Sequence, residues 1–311
     1  MRRLVPLVII LTMVPATAVW GTELGDILRR GQEATYSAEQ TISCSTPDGV
    51  RDAIVRINQN GGELRVSASV TDDVEVAAGS GRWSMRRDGG TVATASVGAG
   101  AKETTKPLYT LTEEQAVEYL GRAAMSYLLI RHGEPRGKLT IDNETGALVE
   151  AVTFTIDREI YCERRFISLN TDVRQTESLA TDAEAPSQGT PPAAVAVTNL
   201  PVQVAGFELL DQYEDEDGLR FAYYSDGFFS FAVFETPSVV ELPEATTVDF
   251  DTGMYLRVFT AGQVTYVWET NSGGMALVGD LPPDLHEEVL SALPHPDTPG
   301  FFVRWWHSLF G

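Results

Sequence analysis

Residues Tyr223 to Glu235 read YYSDGFFSFAVFE. The stretch has two readings. Ser225-Asp226-Gly227 is either the heart of an active site or the turn between two strands. An Asp-Gly pair between apolar runs is a strong hairpin signal, because a type I′ turn needs positive φ at both central residues. In an extended second arm, Phe229, Phe231 and Val233 lie on one side, and Phe228, Ser230, Ala232 and Phe234 on the other. Bulky groups on both sides imply that one face covers a core and the other meets more of the chain or a partner. Tyr224, Phe228 and Phe234 are therefore candidate partner contacts.

The surrounding sequence continues in the same style. Residues 206–235 give three strand-like runs broken at Asp217-Gly218 and Asp226-Gly227. Residues 253–281 give three more, with turns at Ala261-Gly262 and Ser272-Gly273-Gly274. LPPDLHEEVLSAL then predicts a closing helix, with Pro283 in its first turn and Leu285, Val289 and Leu293 on one face. After it comes an aromatic tail, 294–311, carrying Trp305 and Trp306. The spacing of its aromatics suits a short amphipathic helix. Such a segment either docks back on the preceding sheet or makes a peripheral contact with a membrane or a partner.

Upstream, residues 180–199 are rich in Ala, Pro, Ser and Thr and have no amphipathic period, which is linker composition. They separate a domain at 22–179 from one at 200–293. The first domain opens with a helical pattern at Leu24, Ile27 and Leu28, then turns to strands such as LRVSASV, which alternates Leu64, Val66, Ala68 and Val70 with polar residues. LTEEQAVEYLGRAAMSYLLI predicts a helix, with Thr112 and Gln115 as a capping box and Leu120, Ala124, Tyr127 and Leu128 as its buried face. A turn at Asn143–Gly146 joins two further strands. The plan is α+β: two domains, each mainly an antiparallel sheet, with helices packed on one side of the first and a helix ending the second.

Residues 1–21 have an export signal's parts: Arg2 and Arg3, an apolar run from Leu4 to Val14, and Ala16-Thr17-Ala18. They predict an exported protein with a cleaved signal peptide or an uncleaved anchor. Outside the cytoplasm, the two cysteines, Cys44 and Cys162, suit a disulfide, the alternative being two buried thiols. The formal net charge of −21 argues against nucleic acid and anionic lipid surfaces, and favours a basic partner or plain solubility. From Asn199 onward there are 3 arginines, no lysine and 18 acidic residues, a formal −15.

Catalytic and metal-binding patterns are missing. The four histidines, His132, His286, His295 and His307, form no ligand pair at helical spacing. No phosphate-binding glycine pattern follows a strand. YEDEDG at Tyr213–Gly218 resembles part of a calcium loop but has Tyr213 and Tyr224 where oxygen ligands belong. The sequence calls for no cofactor and no metal, and gives no case for an enzyme built on Ser225 and Asp226.

The C-terminal half resembles the RseB/MucB family, in which a YSDGL-x-SFSVF-like hairpin and a VVGE-x-PP strand-to-helix step recur. The residues that carry the resemblance are Tyr224-Ser225-Asp226-Gly227, Ser230-Phe231, Val233-Phe234, Val278-Gly279-Asp280 and Pro282-Pro283. Phe228, Ala232 and Asp280 depart mildly from the pattern. The first domain is similar in element order to the half-barrel of the lipoprotein carriers LolA and LolB. The resemblance implies an exported, periplasmic, non-enzymatic regulator that binds the extracytoplasmic domain of an anti-sigma factor and shields it from proteolysis, with a lipid or lipoprotein sensed by the first domain. The other reading is a lipid or lipoprotein carrier of the cell envelope.

Overall fold

The computed structural model describes residues 30–31, 33–61, 63–68, 74–79, 82–87, 90–96, 108–172, 200–214, 220–236, 245–260, 262–271 and 273–296. These fall into two compact units. One comprises the described residues up to 172 together with Asp226–Phe228; the other comprises 200–225 and 229–296.

The first unit is an eleven-stranded antiparallel sheet. Its strands are β1 (Thr35–Thr46), β2 (Gly49–Asn60), β3 (Glu63–Ala68), β4 (Val74–Gly79), β5 (Arg82–Arg87), β6 (Gly90–Ser96), β7 (Thr110–Tyr119), β8 (Arg122–Arg131), β9 (Glu134–Asp142), β10 (Leu148–Phe154) and β11 (Ile160–Asn170). Their spatial order is β6-β5-β4-β3-β2-β1-β11-β10-β9-β8-β7. The sheet is thus two meanders, β1–β6 and β7–β11, meeting at one seam between β1 and β11.

Period-two patterning gives the sheet its faces. On β1, Tyr36, Ala38, Gln40, Ile42 and Cys44 are buried and the residues between them are not. The register carries this face sideways, placing Ala38 beside Ile57, Gln40 beside Val55 and Phe166, and Leu139 between Ala151 and Tyr127. The opposite face is polar. There the buried carboxylate of Glu150 accepts from Thr140 Oγ1 at 2.7 Å and pairs with Lys138 at 2.8 Å and Arg165 at 3.0 Å. Burial alone would raise the Glu150 pKa; Lys138, Thr140 and Arg165 overcome that and hold it below the ordinary value.

Residues 111–130 are not a helix. They form the β7–β8 hairpin, turning at Leu120 and Gly121 with φ of 52° and 72°. Positive φ at both central positions is the type I′ geometry. Helix-forming residues there yield to pairing with β9, which buries Ala124, Tyr127 and Leu129. At the expected first helix, Arg30, Gly31 and Glu33 are helical, and the residues before them lie outside the described set. The turn at Asn143–Gly146 is present. Asp142 Oδ1 accepts from the Thr145 amide and hydroxyl, and Arg122 donates to both carboxylate oxygens.

The second unit is an eight-stranded antiparallel sheet with a helix. Its strands are β12 (Gln203–Val204), β13 (Phe207–Glu214), β14 (Arg220–Ser225), β15 (Ser230–Thr236), β16 (Thr246–Phe250), β17 (Gly253–Thr260), β18 (Gln263–Thr270) and β19 (Gly273–Gly279), followed by α1 (Pro283–Ser291). The order β12-β13-β14-β15-β19-β18-β17-β16 is again two meanders joined at one seam, here β15 with β19. The helix starts at consecutive prolines, Pro282 as N-cap and Pro283 within the first turn, where a missing N–H costs no intrahelical bond. It buries His286, Val289 and Leu290.

Candidate functional site

The YYSDGFFSFAVFE stretch is the β14–β15 hairpin. Ser225 pairs with Ser230, and Asp226–Phe229 form the turn between them. Positive φ occurs at Gly227 and not at Asp226, so it is not the two-residue type I′ turn. Gly227 has φ of 99°, a conformation that disfavours any side chain. Asp226 caps the turn by accepting from the Phe228 amide at 2.9 Å, and Ser225 Oγ donates to the Phe229 carbonyl at 3.0 Å. Asp226 is fully buried. Its Oδ2 accepts from Tyr109 Oη at 2.7 Å and from Arg131 Nη1 at 2.6 Å. The Tyr109 pKa is driven far up, by burial first and by the neighbouring Asp226 charge second. Phe228 meets the Tyr109 ring edge-on at 5.6 Å between centroids, and its own ring occupies the space a side chain at Gly137 would need. Ser225 and Asp226 are thus engaged in holding a turn, and neither is presented as a nucleophile or base.

The second motif, Val278-Gly279-Asp280, lies directly across the β15–β19 seam from the first. Phe231 pairs with Gly279, Ala232 with Val278 and Val233 with Leu277. A Cβ on Gly279 would collide with Phe231 Cβ and the Ser230 carbonyl, so the close approach of the two strands requires glycine. Asp280 Oδ1 accepts from the Ser230 amide at 2.8 Å, and the Asp280 amide donates back to the Ser230 carbonyl at 3.2 Å. Two sequence motifs are one structural unit, joined by the Ser230–Asp280 bond across 50 positions of the chain.

The strand-to-helix step ends in a buried histidine. His286 Nε2 bonds the Leu281 carbonyl at 2.9 Å and Nδ1 bonds Tyr266 Oη at 2.8 Å. A carbonyl only accepts, so Nε2 carries the proton and Nδ1 of the neutral ring accepts from the tyrosine. Burial lowers the His286 pKa to about 4.

Of the candidate contact residues, two need correction. Tyr224 is wholly buried, stacked on Phe231 with its hydroxyl on the Pro201 carbonyl, and Phe228 is buried against Tyr109. Large aromatic side chains beside a central strand are taken up by the core, so neither offers a surface. Phe234 is half-buried against Phe221. Trp305 and Trp306 lie outside the described residues, as does most of YEDEDG. Of the tail, Pro294 accepts from Trp268 Nε1 and Pro296 lies against Gly253. Sequence reading missed Tyr109, Arg131 and Gly137, which no local pattern marks. Cys44 and Cys162 are joined in a disulfide. Among the described residues, no group of three or more His, Cys, Asp or Glu could hold a metal ion, and no helix is long and apolar enough to cross a membrane.

Comparison with solved structures returns MucB bound to MucA(peri), with a TM-score of 0.50 and 18% identity, covering 89% of this chain and 100% of that one. The chain shares the MucB fold. The complex of MucA and MucB from Pseudomonas aeruginosa gives 0.49 at 19% identity over 89% of this chain and all of that one, and MucB alone gives 0.47 at 17% over 88% and 98%. No family model and no curated protein matches the sequence. In this chain the paired motifs across β15 and β19 are the residues on which the sequence resemblance to the RseB/MucB family stood.

Proposed function

We propose that this protein is an exported regulatory binding protein of the RseB/MucB type, which engages the extracytoplasmic domain of a transmembrane anti-sigma factor. The observation that carries the reading is the shared fold with MucB, whose solved complex contains MucA(peri), over 89% of this chain. The pairing of the two family motifs across one seam supports it. So does the formal −15 of the C-terminal 113 residues, which suits a basic partner segment. Binding shields the partner from proteolysis and so restrains its sigma factor. The buried apolar face of the first sheet, with Ile42, Val55, Ile57, Leu139 and Phe166, suits an amphiphile such as a lipid or lipoprotein as the releasing signal. The binding function calls for no catalytic residue. A pull-down from envelope extract with the tagged full chain tests this: it is expected to recover a single-span membrane protein that itself holds a sigma factor. Recovery of lipid alone would favour a carrier instead.

A further inference from the structure

We propose that Cys44–Cys162 is a redox latch on the β1–β11 seam, closed when oxidised and able to open when reduced. The inference rests on topology and register and is independent of any partner. Among the described residues, the two meanders of the first unit are paired through β1 and β11 alone in the strand order. The disulfide joins two directly opposed residues of that seam, 118 positions apart in sequence.

The side chains across the seam are poorly matched. Ile42 faces Arg164, Gln40 faces Phe166, Thr41 faces Arg165 and Ser43 faces Glu163; besides the disulfide itself, only Ala38 with Leu169 is apolar on both sides. The ladder is also broken by a bulge between Glu39 and Gln40, at the end away from the disulfide. Cross-strand pairs are the unit of sheet stabilisation, and this seam has few good ones. Pairs inside the second meander are better: Tyr127 faces Leu139 and Met125 faces Ile141. The covalent bond sits at the end of the seam where Ile42 meets Arg164 and Ser43 meets Glu163.

A dithiol opens the latch. It gives two electrons and two protons, the Cys44–Cys162 bond breaks to two thiols, and the dithiol closes to its own disulfide. Cys44 is 1% exposed and Cys162 3%, so attack waits on local opening of the seam. Once cut, the seam is held by its backbone ladder, the Ala38–Leu169 pair and the contact of Tyr36 with Phe166. Opening would uncover Tyr36, Ile42 and Phe166, all buried on the apolar face.

Hydrogen exchange on the full chain tests the latch, before and after treatment with dithiothreitol, with thiols counted by alkylation and mass. Peptides from β1 and β11 are expected to exchange roughly 10²–10³-fold faster once reduced, while β8, β9, β17 and β18 change less than about 3-fold. Cys44→Ala with Cys162→Ala is expected to reproduce the reduced pattern; if that variant does not fold, the reduced wild-type chain decides alone. Two results would overturn the proposal. One is unchanged exchange in β1 and β11 with both thiols alkylated. The other is equal acceleration in every strand of the sheet, which would make the bond a global staple.

Discussion

The two sheets of this protein share a plan and solve it differently. Each is a pair of meanders meeting at one seam, β1 with β11 in the first unit and β15 with β19 in the second. The second seam is packed: Phe231 on Gly279, Ala232 on Val278, Val233 on Leu277 and Phe234 on Ala276. Phe231 and Phe234 each face a small residue, and both faces of β15 are buried at Phe231, Ala232 and Val233. The first seam sets Ile42 against Arg164 and Phe166 against Gln40, keeps one apolar pair in Ala38 and Leu169, and adds a disulfide. Packing joins the second pair of meanders; the first adds a covalent bond to its backbone ladder and to the contact of Tyr36 with Phe166.

The largest expected effect comes from removing the key residue of the packed seam. Phe231→Ala empties a fully buried site between Phe207 and Tyr224 and should cost about 4 kcal/mol in urea unfolding. A loss below about 1 kcal/mol would show that packing does not hold this seam. Asp226→Asn removes the charge that Arg131 and Tyr109 bind at the turn beside it, and should cost about 3 kcal/mol, since the buried guanidinium loses its counter-charge. An unchanged melting temperature would reduce that ion pair to decoration.

Acid separates the two units. The His286 pKa is lowered in the folded state, from 6.5 to about 4, so the unfolded chain binds the proton first. Its contribution is complete above about pH 6.5 and fades as pH falls toward 4; the gap is worth about 3 kcal/mol. The first unit's Asp142 and Glu150 are also lowered, so their contribution is complete above the ordinary carboxylate range and is lost only in stronger acid, as pH falls through their folded values. Exchange protection in β17 and β18 should therefore decline between pH 6.5 and 4.5, ahead of β9 and β10. The reverse order would contradict the assignment of the buried histidine. The smallest effect belongs to the exposed polar face. Arg56→Ala breaks a solvent-facing pair with Glu39 at 3.5 Å and should shift stability by no more than about 0.5 kcal/mol.

The second sheet was more legible in the sequence than the first. Its Asp226-Gly227 turn, its central strands and its terminal helix are signalled by residues close in sequence, where turn chemistry and periodicity act. The β7–β8 hairpin was not legible, because Thr112 and Gln115 spell a capping box and the glutamates, leucines and alanines that follow are good helix formers. Leu120, read as part of that helix's buried face, lies in the turn instead, and pairing with β9 decided the outcome. The surroundings of Asp226 were hidden for another reason. Tyr109 lies 117 positions away and Arg131 lies 95 away, so nothing local ties them to the motif. A motif identified by its spelling proved to be held by residues that no spelling marks.

The central claim is that this chain binds the extracytoplasmic domain of an anti-sigma factor. Titration calorimetry of the purified full chain against that domain from the same cell tests it most directly. The account predicts binding at about micromolar Kd or tighter, weakening roughly tenfold between low and high salt as the acidic C-terminal half loses its pull on a basic segment. The absence of measurable binding at about 0.1 mM, in low salt with the disulfide intact, would contradict it.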